Sequence, residues 1–175
     1  IYAQMDAALA GGATNKLTFV IAAESARLME NSLRATEILR QGLDLYPDDP
    51  TLLNNLAYCL GQTPDGLVEA DAMAPKLLKI GAGDLQILDT VAGIYVAAGK
   101  TMEARATIDQ VLAKTKPGDQ LWFRARLHDA GLVAATNDVA GALRILQDAI
   151  EKTADLPDED VLAANRLQAQ WQTQL

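Results

Sequence analysis

Along the chain apolar residues recur at steps of three and four, and glycine, proline or short polar runs interrupt them at regular intervals, so the whole sequence reads as a succession of helices. Ile1, Met5, Ala8 and Leu9 have helical spacing that stops at Gly11-Gly12. Thr14 to Glu30 and Ser32 to Tyr46 form a first full hairpin, with Phe19, Ala22, Ala23 and Ala26 on one inner face and Ala35, Leu39 and Gly42 on the other. At Pro47-Asp48-Asp49-Pro50 one helix ends and the next begins, because Asp49 suits an N-cap and Pro50 the first helical position. A second hairpin runs from Pro50 to Ile80 through a predicted turn at Gly61-Gln62-Thr63-Pro64-Asp65-Gly66. Gly81-Ala82-Gly83 supplies left-handed, helix-ending conformations, and Asp84 caps a third hairpin, Leu85 to Lys114, that turns at Gly99-Lys100. After the junction Thr115 to Asp119, Leu121 to Ala135 and Val139 to Glu151 make a fourth hairpin that turns at Asn137-Asp138. Val161, Ala164, Leu167 and Trp171, set among Gln and Asn between Asp158 and Leu175, predict a terminal capping helix with a polar outer side.

The hairpins are copies of one another. Leu53 to Tyr58 aligns with Leu88 to Gly93, and Ala70, Ala74 and Leu77 then fall opposite Ala104, Ile108 and Val111, a period of about 34 residues, stretching to about 38 before the fourth copy. Small residues occupy one position on the first helices (Ala23, Ala57, Ala92, Ala130) and one on the second helices (Ala35, Ala70, Ala104, Ala142), which lets each pair approach closely. The series Leu39, Ala74, Ile108, Leu146 and Gly42, Leu77, Val111, Ala149 falls in the same register. A hairpin this short cannot bury its apolar side alone and must stack on its neighbours. The expected fold is therefore an all-α solenoid of antiparallel hairpins, one domain over residues 1–175, with repeats at 16–49, 50–84, 85–118 and 120–152 and a cap at 158–175.

From Lys16 to Glu151 these positions resemble the tetratricopeptide repeat family, most closely in the second and third copies. The resemblance implies a right-handed superhelix that is not catalytic itself and that acts as an adaptor, holding a peptide or protein segment in its concave groove. By position, the groove-facing residues on first helices are Val20, Ile21 and Glu24; Asn54, Asn55 and Tyr58; Asp89, Thr90 and Gly93; and Leu127, His128 and Gly131. Of these, Val20, Glu24, Asn54, Asn55, Tyr58, Asp89, Thr90 and His128 are the binding candidates, with the amides of Asn54 and Asn55 offering both donor and acceptor to a ligand backbone. Glu24 and Asp89 would make the groove acidic and favour a neutral or basic segment. One branch of the family grips a C-terminal carboxylate with Lys, Arg and Asn. Only Asn55 fits that pattern, so no such clamp is expected. In the fourth repeat the family's register would bury Arg126 and Asp129; a shift by one residue puts Leu127, Ala130, Gly131 and Ala134 inside instead, and is preferred because unpaired buried charges cost several kcal/mol.

Composition narrows the function classes further. The formal net charge is −8 without a run of Lys or Arg, which disfavours nucleic acid. Charges break every apolar stretch well short of the roughly 18 to 20 residues of a membrane span. Cys59 is the single cysteine, so no internal disulfide forms; beside Tyr58 on an inner helix it reads as a buried, inert thiol. His128 is the single histidine and has no Ser or Cys nucleophile placed beside it, so no catalytic residues are expected and an enzyme is the weakest reading. One His and one Cys in different repeats make no metal site, and no cofactor is implied. Asp155, Asp158, Glu159 and Asp160 read as carboxylates at a helix N-terminus, and Gly11 to Lys16 as a turn that lacks the spacing of a phosphate loop. Trp122 is expected to pack over the fourth junction rather than to anchor a partner, and Trp171 either closes the last repeat's core or marks where a further part of the chain begins. Beginning at Ile1, the sequence reads as a piece of a longer chain, with the compartment not legible. The rival to a peptide-binding adaptor is a spacer or self-assembly element whose solenoid ends stack on another copy.

Overall fold

A computed structural model describes residues 11–12 and 15–174. Among them are nine α-helices and no strand: α1 (Lys16–Leu28), α2 (Ser32–Leu45), α3 (Pro50–Gly61), α4 (Pro64–Ile80), α5 (Leu85–Ala97), α6 (Thr101–Leu112), α7 (Gln120–Ala135), α8 (Val139–Glu151) and α9 (Asp158–Gln172). The expected helix over Ile1 to Leu9 lies outside the described residues.

Most helix starts are fixed by a short polar side chain that accepts from an otherwise unpaired backbone N–H. Asp49 Oδ1 accepts from Thr51 N and Leu52 N, both at 3.0 Å, ahead of Pro50. Asp84 Oδ1 takes Gln86 N at 2.8 Å, and Asp138 Oδ1 takes Gly141 N at 2.7 Å. The turn predicted from Gly61 to Gly66 is shorter than that, because Thr63 caps α4 and Pro64 opens it. Gly66 thus sits inside the first turn of α4, where a Cβ would lie 2.5 Å from the carbonyl oxygen of Leu60, so the glycine permits the close approach of the two helices. Of the three residues Gly81 to Gly83, it is Gly83 that has a positive φ, +88°.

The chain divides into two compact units, 1–82 and 83–175. In the first, α1 pairs with α2 and α3 with α4, while α2 packs on α3 and α1 also meets α3. In the second, α5 pairs with α6 and α7 with α8; α6 and α5 both pack on α7, and α9 rests on α8 and α7. Each helix thus packs in order against its sequence neighbours within a unit, which is compatible with a helical repeat.

The aligned small positions are where the helices meet. Ala23, Ala57, Ala92, Ala130, Ala35, Ala70, Ala104 and Ala142 are all at most 2% exposed, which shows that their agreement in register reflects packing and not composition alone. The partner series Leu39, Ala74, Ile108, Leu146, Leu77, Val111 and Ala149 is equally buried, and Gly42 stands where a Cβ would press at 3.1 Å on the Phe19 side chain. In the second unit Trp122, Phe123, Leu127, Ala130, Leu146, Ala164 and Trp171 belong to one core, so both tryptophans pack inward.

Candidate functional site

Three candidate residues of the first unit, Glu24, Asn55 and Tyr58, come together where α1 meets α3. Glu24 and Arg27 are one turn apart on α1, and the guanidinium grips the carboxylate with both forks: Nε donates to Oε2 at 2.8 Å and Nη2 to Oε1 at 2.6 Å. Those hydrogen bonds hold the Glu24 carboxyl below its ordinary range. Arg27 also lies 5.7 Å from the centre of the Tyr58 ring on α3, a cation–π distance. Ala23, Glu24, Arg27, Leu39, Asn55, Tyr58 and Cys59 line a small cavity of about 30 Å³. Val20, Asn54, Asn55 and Tyr58 are all half-buried, and Asn54 Oδ1 is buried with no hydrogen-bond partner among the described residues. Sequence reasoning left Arg27 out, although its spacing of three from Glu24 was a visible signal for an ion pair on one helical face.

Cys59 forms part of the cavity wall and is 6% exposed. Burial pushes its thiol up to about 11, with Arg27 and Glu24 acting on it in opposite directions. A thiol so placed stays protonated and is a poor nucleophile.

The second unit departs from expectation. Asp89 and Thr90, expected on the open groove surface, are buried at 2% and 7% exposure. Asp89 is retained there because α7 brings two partners to it: Arg124 Nε lies 2.8 Å from Oδ2, and His128 Nε2 lies 3.2 Å from Oδ1. The imidazole is seated on Gly93 of α5, where a Cβ would come within 2.9 Å of its Cε1. His128 keeps 23% of its side chain exposed and so does reach the surface.

The fourth repeat's register is corrected in one respect. Leu127 and Ala130 are buried as the shifted reading requires, but Gly131 and Ala134 are only half-buried, and Asp129 is buried too, at 6% exposure. The objection to burying it was the lack of a partner, and it has two: Arg105 of α6 at 2.5 Å and Arg126 of its own helix at 2.6 Å. Arg126 is further placed 5.9 Å from the Trp122 ring. With Glu24 bound to Arg27 and Asp89 to Arg124, the acidity expected of the groove is largely neutralised within the fold.

On α9, Asp160 is 4% exposed and accepts from Gln120 Nε2 at 2.8 Å. Burial pushes its carboxyl above the usual range, against the opposing pull of Gln120 and Arg124. Among the described residues no group of three His, Cys, Asp or Glu side chains is arranged to hold a metal ion, and no helix is long and apolar enough to cross a membrane. No family model matches the chain, and a search of curated proteins finds no match.

Proposed function

We propose that the chain is a tetratricopeptide-like adaptor, a right-handed superhelical solenoid that binds an extended protein segment on the surface formed by its first helices. The observation that carries this reading is the polar group where α1 meets α3: Asn55, Tyr58 and the Glu24–Arg27 pair surround a small cavity, and Oδ1 of the adjoining residue in sequence, Asn54, is buried and lacks a hydrogen-bond partner. Such a surface recognises a ligand by hydrogen bonds to its main chain and by one small side chain in the cavity, more than by net charge, because its own charges are already paired. The register of small residues through four hairpins supports the family reading, since a stack of hairpins leaves its outer surfaces as the place of work. The favoured ligand is a neutral, polar segment of a protein partner.

The test is selection of binding segments from a displayed peptide library, followed by affinity measurement of the tightest one on the intact chain. Changing Asn54→Ala and Asn55→Ala together should weaken it about tenfold or more, the loss of more than about 1.4 kcal/mol of polar contact. Equal affinity in the double variant rules out this surface as the binding site.

A further inference from the structure

In the second unit, two buried polar atoms face each other with no other partner. Asp89 Oδ1 and His128 Nε2 are 3.2 Å apart but out of line for a hydrogen bond, and neither has a hydrogen-bond partner among the described residues. Leaving both unmade would forfeit the hydration of a carboxylate oxygen and of a ring nitrogen together. An in-line approach of the two atoms would restore a hydrogen bond to both. That alignment is favourable only if Nε2 carries the proton, because a lone pair there would face a carboxylate lone pair.

The surrounding charges favour the same arrangement. Asp89 Oδ2 is already taken by Arg124, so Oδ1 is the oxygen left to accept. From α7 itself, Arg124, Arg126 and Asp129 are the charged neighbours in sequence; Asp129 is held by Arg105 of α6 and by Arg126. Asp160 of α9 interacts electrostatically with Arg124 and Asp89. None of these contacts supplies His128 Nε2 with a competing acceptor. The ring occupies the space that a side chain at Gly93 would fill, since a Cβ there would come within 2.9 Å of its Cε1.

We infer that Asp89 locks the neutral His128 ring as the Nε2–H tautomer, so that Nδ1 is left as a hydrogen-bond acceptor on the partly exposed side of the ring. The buried aspartate is then a positioning residue and His128 the contact residue. The ligand chemistry it selects is an N–H or O–H donor, such as the main-chain amide of a bound segment. Only this choice of ligand rests on the adaptor reading; the tautomer can be measured without any ligand.

Because the chain has a single histidine, long-range proton–nitrogen NMR correlation of the imidazole reads it without assignment. In a spectrum of the neutral ring, taken at alkaline pH, the intact chain should show one protonated and one unprotonated ring nitrogen, with the proton on Nε2. In Asp89→Asn, with helicity checked by circular dichroism, the two nitrogen shifts should move toward each other as the tautomers begin to exchange. A proton on Nδ1, or two averaged shifts in the unaltered chain, would overturn the inference, as would an Asp89→Asn spectrum identical to that of the parent. Failure of the Asn54 and Asn55 test leaves this result standing, so the two readings fall separately.

Discussion

Asp160 is the residue at which burial and charge are most directly opposed. Its carboxyl is almost wholly out of solvent and its proton affinity is raised, chiefly by that burial. The folded chain therefore binds this proton more tightly than the unfolded chain does. Stability is greatest while both states are protonated, and falls as pH rises through the raised folded value, where a buried carboxylate has to form. Replacing it as Asp160→Asn keeps an oxygen for Gln120 and removes the ionisation. The variant should be more stable than the parent at neutral pH and indistinguishable from it below the ordinary carboxylate range, as read by thermal melts across pH. A constant difference at all pH values would show that ionisation of Asp160 has no part in it. A similar argument explains why Asp89 and Asp129 were hard to place from sequence. Asp89 depends on Arg124, 35 positions away, and Asp129 on Arg105, 24 positions away, as well as on the nearby Arg126; no local pattern announces the two distant partners.

Among the elements, what repeats was legible and what is particular was not. The caps Asp49 and Asp84, the hairpin order and the small alanine positions follow from local chemistry and from a period, and each stands where it was expected. The start of α4 was placed late because Gly66 looked like a turn residue, whereas its lack of a side chain serves helix contact. The same helix contains Pro75 in its interior, on an exposed position. Proline there has no N–H to offer the carbonyl of Asp71 and fits a helix poorly. Pro75→Ala should accordingly stabilise the chain by about 1 to 3 kcal/mol, seen as a higher urea midpoint. No gain would mean that the helix bends at this point to a purpose that alanine does not serve.

For the whole molecule, the chain divides into two compact units, and both tryptophans belong to a core formed within residues 83–175. Tryptophan fluorescence is thus a private signal of one unit, while far-ultraviolet circular dichroism sees the helices of both. Gly66→Ala forces a methyl group against the Leu60 carbonyl in the other unit, at a cost of about 1 to 3 kcal/mol or more. In urea, the dichroism transition of that variant should broaden toward lower concentrations while the fluorescence midpoint stays in place. If both signals shift together, the chain unfolds as one cooperative body. The buried Cys59 thiol, pushed up to about 11, has a practical corollary for all such measurements. A maleimide dye added near neutrality will pass over it, so a second cysteine introduced at an exposed position of residues 83–175 could be labelled selectively, and its distance from the tryptophans of that unit followed by energy transfer.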